Sequence, residues 1–228
     1  MMNRTRSLSP ESLPESIAVF PLPGAILLPG GQLPLNIFEP RYLNLVEDAL
    51  SGTRIIGMIQ PVHESSEHLI ADGVTLYNVG CAGKISTFKE TGDGRYLITL
   101  DGIIRFRIAE ELEPKDGYRR IRADYTAYLQ DMAFSSIPDD EQTIVRRQLI
   151  AAMTRYFQIN GIEADPSSIE SVSDTLLVNT LAMTCPLDPG EKQALLECEN
   201  TEQRAILLTR MFEISAYATN ATHSDIRQ

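Results

Sequence analysis

Tryptophan is absent from this 228-residue chain, and aromatic residues of all kinds make up only 7% of it. Cysteine is scarce: Cys81, Cys185 and Cys198 are widely spaced, with no Cys-x-x-Cys pair. An odd, scattered set excludes a secreted disulfide framework and reads as reduced thiols in the cytoplasm. Of the three histidines, His63 and His68 stand close in sequence. A spacing of five does not put two ligands on one helix face, and no cysteine lies nearby, so neither a metal nor a cofactor is expected. No apolar run approaches the roughly 18 residues of a membrane span. The first residues, MMNRTRSLSPESLPES, lack the apolar core of a secretory signal. Residues 1–15 therefore read as a flexible segment.

Basic residues are also in deficit. The net charge is −11, with 13 basic against 17 acidic residues before Met132 and 7 against 14 from there on. Both halves repel a phosphate backbone or an anionic membrane. Catalytic signatures are missing too. A phosphate-binding loop needs G-x-x-x-x-G-K-[ST], whose backbone N–H groups cradle phosphates. The only Gly-Lys is Gly83-Lys84, with Asn78 in place of the first glycine and Ile85 in place of the hydroxyl residue. No G-x-S-x-G nucleophile elbow occurs. Cys185, before Pro186, reads as a buried structural thiol, and the Glu110, Glu111 and Glu113 cluster as a solvated rim.

What the chain does have is punctuation. Residues 18–42, AVFPLPGAILLPGGQLPLNIFEPRY, read as strand, tight turn, strand and helix start. Pro40 suits a first helical position. Tyr42, Val46, Ala49 and Leu50 then share a helical face up to Gly52, and residues 54–60, RIIGMIQ, return to strand. Four Asp-Gly turn signals follow, at Asp72-Gly73, Asp93-Gly94, Asp101-Gly102 and Asp116-Gly117. Between them Tyr96, Ile98 and Leu100 alternate to one face. Ile104, Phe106 and Ile108 oppose Arg105 and Arg107, while Ile121, Ala123 and Tyr125 oppose Arg120, Arg122 and Asp124. These are half-buried antiparallel strands. Residues 84–90 should pair with 95–101 across a turn at 91–94.

Beyond about residue 133 the period becomes helical. Val145, Leu149, Ala152, Met153 and Tyr156 predict a helix over 138–160, stopped at Gly161. Asp165-Pro166 and Asp188-Pro189-Gly190-Glu191 read as caps with a first-turn proline, the second with a capping-box glutamate. Residues 173–184 form a short apolar helix, and Thr201 caps a last one with Ala205, Leu208, Phe212 and Ser215 on one face. The division expected is a β-rich domain over 16–132 and a helical bundle over 133–228, with the boundary within 131–140.

Three sets of residues invite a functional reading. Arg105, Arg107, Arg119, Arg120 and Arg122 could form one basic stripe, an RNA face, or else charged outward positions that guard strand edges. Nearby carboxylates favour the second. The apolar, turn-flanked segment Ile26, Leu27, Leu28 and Pro29 is a candidate contact surface for other proteins, or else a buried barrel strand. Glu39 and Arg41 flank Pro40 beside Tyr42 and could frame a pocket with Met58 and Gln60.

Taken together, FPLPGAILLPGGQLPLNIFEPRY, the glycine-marked VGCAGKI of residues 79–85, the DGRYLI and GIIRF hairpin of 93–106, and the LVN, LAM and EKQALLE runs of 177–197 closely resemble the Lon protease N-terminal domain family. The resemblance implies an α+β fold, a PUA-like β pseudobarrel with one inserted helix followed by a C-terminal α-helical bundle. It also implies a bacterial, cytoplasmic, non-catalytic protein without the ATPase domain or the Ser–Lys peptidase dyad. The function implied is recognition of unfolded or apolar polypeptide segments, as adaptor or holdase, with other proteins as partners. RNA binding is the alternative, since PUA-like barrels serve that use elsewhere.

Overall fold

A computed structural model describes residues 9–62, 74–136, 144–162 and 172–225. His63, His68, Asp72-Gly73, Asp165-Pro166 and the expected helix start at Pro138 lie outside these residues. The chain divides into two compact units. The first comprises Met1–Ile137 with Asp188–Leu196, and the second Pro138–Leu187 with Glu197–Gln228.

The first unit is built on strands β1 (Ser16–Pro21), β2 (Gln32–Ile37), β3 (Ile55–Ile59), β4 (Val79–Glu90), β5 (Tyr96–Lys115) and β6 (Tyr118–Asp124). Helix α1 (Pro40–Ser51) lies between β2 and β3. The strand order is β2-β5-β4-β3-β1-β6, and β5 also pairs with β6. That last pairing closes a ring of five strands and leaves β2 as a flank on β5. The sheet is mixed, with β1 parallel to β3 and the remaining pairings antiparallel. Ring closure depends on the length of β5. Its first half pairs with β2 and β4, and its second half, from Arg107 to Lys115, with β6.

The 20-residue β5 corrects the expected turn at Asp101-Gly102, because the strand runs straight through it. Gly102 serves a different need. A Cβ there would sit 2.0 Å from the Leu28 carbonyl oxygen. Gly30 N–H donates to the Gly102 carbonyl at 2.9 Å, and Gly102 N–H to that of Gly31 at 2.8 Å. Glycine is required for close backbone approach, beside a register shift at Ala82/Gly83. The other two described Asp-Gly pairs are turns, with Gly94 at φ 79°, Asp116 at 48° and Gly117 at 85°.

Helix α1 begins as its sequence reads, with Pro40 in the first turn and Gly52 as C-cap. Tyr42, Leu45, Val46 and Ala49 are buried. At its end Tyr118 Oη and Lys115 Nζ both donate to Asp48 Oδ2, each at 2.6 Å. These two hydrogen bonds hold the Asp48 carboxyl below its usual range.

The second unit contains helices α2 (Ile144–Asn160), α3 (Asp174–Thr184) and α5 (Thr201–Asp225), which follows α4 (Pro189–Glu197). Leu149, Met153 and Tyr156 of α2, Leu177, Val178 and Leu181 of α3, and Leu208 and Phe212 of α5 are buried. The Tyr156 and Phe212 rings stack at 4.5 Å. Ser173 Oγ accepts the Leu176 N–H at 3.3 Å and so caps α3. The glutamate half of the capping box at α4 also forms, with Asp188 N–H donating to Glu191 Oε2 at 3.0 Å.

The sequence reading placed α4 in the bundle, but residues 188–196 belong to the strand unit. Polar side chains decide this. Buried Gln60 accepts the Gly24 N–H at 2.9 Å through Oε1 and donates through Nε2 to the Pro189 carbonyl at 3.0 Å and to Gln193 Oε1 at 3.2 Å. Gln193 donates in turn to the Val79 carbonyl at 3.1 Å, and Lys192 Nζ to that of Gly24 at 2.9 Å. An apolar-periodicity argument registers none of these contacts.

Candidate functional site

The alternation of β5 predicts which face of the sheet is wet. Tyr96, Ile98 and Leu100 point one way, and Ile98 and Leu100 are buried there. Leu97 and Thr99 must point the other way. The β2–β5 register sets Asn36 opposite Leu97 and Pro34 opposite Thr99, while β4 brings Lys89 against Leu97 and Thr87 against Thr99. Thr87 and Thr99 hydroxyls are joined at 2.8 Å. One residue beyond β2, Phe38 lies beside Arg95, whose guanidinium carbon is 5.7 Å from the ring centroid. Phe38 is 60% exposed and Leu97 41% exposed. Two large apolar side chains thus stand on an otherwise polar outward face, flanked by Arg95 and Lys89. On the other face Phe88, also exposed, makes an edge contact with Tyr96 at 5.0 Å.

Neither Phe38 nor Leu97 was proposed from the sequence as a contact residue. The signal for Leu97 was legible, since an apolar residue sat out of phase with Tyr96, Ile98 and Leu100. Phe38 carried no comparable mark, because its exposure follows from the chain leaving β2 for α1.

The residues that were proposed fall into two groups. Glu39 and Arg41 come together, Arg41 NH2 to Glu39 Oε2 at 2.8 Å. The Arg41 guanidinium carbon lies 4.4 Å from the Tyr42 ring centroid, and Tyr42 packs on Phe20 at 4.2 Å. This corner directly follows Phe38. Ile26, Leu27, Leu28, Pro29, Met58 and Gln60 are all buried. The 26–29 segment is therefore core and not an open contact surface, and it is held without strand pairing of its own.

The arginine stripe does not exist as a row. Arg105 is 2% exposed, against the expectation that it faces outward. Its Nε and NH2 donate to the two Asp131 oxygens at 2.8 Å each, its own backbone N–H donates to Asp131 at 3.1 Å, and NH1 donates to the Leu196 carbonyl at 3.1 Å. The Tyr128 ring lies 4.5 Å beneath the guanidinium carbon. Burial alone would lower the Arg105 pKa, but the Asp131 hydrogen bonds and charge outweigh it and the net shift is upward. Arg119 pairs with Glu111 at 2.6 Å and Arg122 with Glu110 at 2.7 Å. Only Arg107 and Arg120 remain of the stripe, and Arg120 reaches Ser16 Oγ at 3.2 Å.

Of the thiols, Cys81 and Cys185 are buried. Burial drives the Cys81 thiol strongly upward, which makes it unreactive. Among the described residues there is no group of three or more His, Cys, Asp and Glu that could hold a metal ion, and no helix is long and apolar enough to cross a membrane.

An α+β domain with a mixed sheet and two exposed apolar side chains on a polar outward face is the class this geometry defines. Comparison with known proteins narrows it. The model of the ATP-dependent protease La (LON) substrate-binding domain matches residues 16–213, and the chain belongs to that family. The chain is 25% identical over 212 residues to the Lon protease of Flavobacterium johnsoniae, covering 90% of this chain and 24% of that protein. It is 23% identical over 205 residues to Lon protease 2 of Myxococcus xanthus, with the same coverages. The chain thus spans about a quarter of the length of these relatives. Among solved structures it is similar to a Lon N-terminal domain protein from Xanthomonas campestris, with TM-score 0.57, 25% identity, and 85% of this chain and 96% of that one covered. The N-terminal domain of the Mycobacterium avium complex Lon protease shares the fold, with TM-score 0.58 at 14% identity, covering 87% and 98%.

Proposed function

We propose that this chain is a non-catalytic, cytoplasmic recognition module that binds exposed apolar segments of other proteins, as an adaptor or holdase. The outward face of β2, β5 and β4 is its contact surface. The observation that carries the reading is the exposure of two large apolar side chains, Phe38 and Leu97, on that face. Burying two such side chains against a partner is worth about 1.5–3 kcal/mol each, enough for weak, sequence-tolerant binding of unfolded chains. Glu39 and Arg41 form the polar rim and Tyr42 anchors the corner beneath it. The closed ring, with an inserted helix before β3, is a PUA-like pseudobarrel in this reading, and the second unit is its helical bundle. The RNA alternative loses support, because three of the five arginines it required, Arg105, Arg119 and Arg122, are paired with carboxylates.

The test is binding to a reduced, alkylated, fluorescently labelled model protein, compared with its native form. Wild type should bind the unfolded form saturably. The double variant Phe38→Ser, Leu97→Ser should bind at least tenfold more weakly with unchanged thermal stability. Equal binding by the variant would move the contact surface elsewhere.

A further inference from the structure

The helical unit holds a cavity of about 280 Å³, bordered by the first turns of α2, α3 and α5. Its floor is apolar, formed by Leu149, Leu177, Val178 and Ala205. A cavity of about 150 Å³ with such a lining accepts benzene, whereas drug-sized ligands occupy roughly 300–1,000 Å³. The space therefore suits one large apolar or aromatic side chain and is too small for a bulky cofactor.

The rim decides which side chain. Arg146 ion-pairs with Asp174, but the two are unequally accessible: the arginine side chain is 6% exposed and the aspartate 31%. Glu202, in the first turn of α5, is exposed at the mouth. The charge presented to solvent is thus carboxylate, over a buried guanidinium, in the half of the chain that carries 7 basic against 14 acidic residues. We infer that this cavity is a docking site for a partner polypeptide segment in which a large apolar or aromatic residue is followed by lysine or arginine. The apolar side chain fills the cavity and the cation meets Glu202 and Asp174. This site does not rest on the sheet-face reading and shares no residue with it.

The experiment uses the full chain and three blocked synthetic peptides, Gly-Ser-Phe-Lys-Ser-Gly, its Phe→Ala form and its Lys→Glu form, followed by backbone amide NMR shifts. The Phe-Lys peptide should saturate shifts in the first turns of α2, α3 and α5, the Phe→Ala form should not, and the Lys→Glu form should bind severalfold more weakly. Glu202→Lys, an exposed change, should weaken binding about threefold to fivefold, the range of a surface ion pair. Ala205→Leu, which fills the cavity, should abolish it. Should that variant fail to fold, the peptide series and Glu202→Lys still decide. No saturable shifts at millimolar peptide, or equal binding of all three peptides, overturns the inference. Phe38→Ser, Leu97→Ser should bind the peptide like wild type. Loss there would place the peptide on the sheet face and also overturn it.

Discussion

Replacing Asp131 with alanine is the sharpest test of how the strand unit is held. Both partners of the Arg105–Asp131 pair are 2% exposed, so solvent does not screen the loss. The substitution removes three hydrogen-bond acceptances from Arg105, two of them from the guanidinium. It leaves a buried cation with the Leu196 carbonyl and the Tyr128 ring. Breaking a buried pair from one side typically costs about 3–5 kcal/mol. With a urea m-value of about 2 kcal/mol/M, the midpoint of the strand unit should fall by about 2 M. Because the chain lacks tryptophan, unfolding is best followed by far-UV circular dichroism. Hydrogen exchange of β4 and β5 amides would then assign the loss to the strand unit. Arg105→Met combined with Asp131→Leu should recover most of the stability, since an apolar pair of similar volume needs no desolvation. A loss below about 0.5 kcal/mol for Asp131→Ala would refute the account.

Three further outcomes are expected. Gly102→Ala puts a Cβ 2.0 Å from the Leu28 carbonyl oxygen, so the Leu28 backbone must move, and should destabilise by about 1–3 kcal/mol or more; a neutral effect on thermal melting would show that the β5 crossing is looser than it looks. Tyr42, Tyr118 and Tyr125 are raised first by burial, and Tyr96 is pushed up to about 12, mainly by its hydrogen bond to Glu47. Their folded values exceed the unfolded value near 10. Their contribution to stability is therefore complete below about pH 10 and lost as pH rises through the folded values. In an ultraviolet titration at least four of the eight tyrosines should ionise late in the folded protein and with the rest in guanidinium, and a single folded transition near 10 would contradict this. Pro34 lies on the flank strand β2, where Gly102 N–H bonding to Gly31 sets the ladder phase so that residues 32, 34 and 36 turn their backbone outward. Pro34→Val restores the missing donor and should raise self-association in sedimentation experiments; unchanged behaviour at high concentration would count against the edge-guarding role.

How much of this was legible depends on whether a residue's role is set locally. Asp93-Gly94 and Asp116-Gly117 read correctly because their glycines need positive φ, a demand the dipeptide itself signals. Asp101-Gly102 carries the same letters for a different reason, the approach of a backbone more than 70 residues away, and so reads falsely as a turn. The first turn of α1 was legible from Pro40, and the capping box from Asp188 and Glu191, all within one turn of chain.

The same distinction governs the site. Alternation placed Arg105 correctly, opposite Ile104 and Phe106, but the further step to an exposed arginine failed. Asp131 and Leu196, 26 and 91 residues away, cover that side of the strand. The stripe then dissolved, since its members share a sheet but not an environment. Leu97 shows the converse. Its phase marked it as an apolar residue on a polar face, and it stays 41% exposed. An out-of-phase apolar residue is thus a better guide to a contact surface than an apolar run such as Ile26 to Leu28, whose continuous hydrophobicity is what burial on all sides demands.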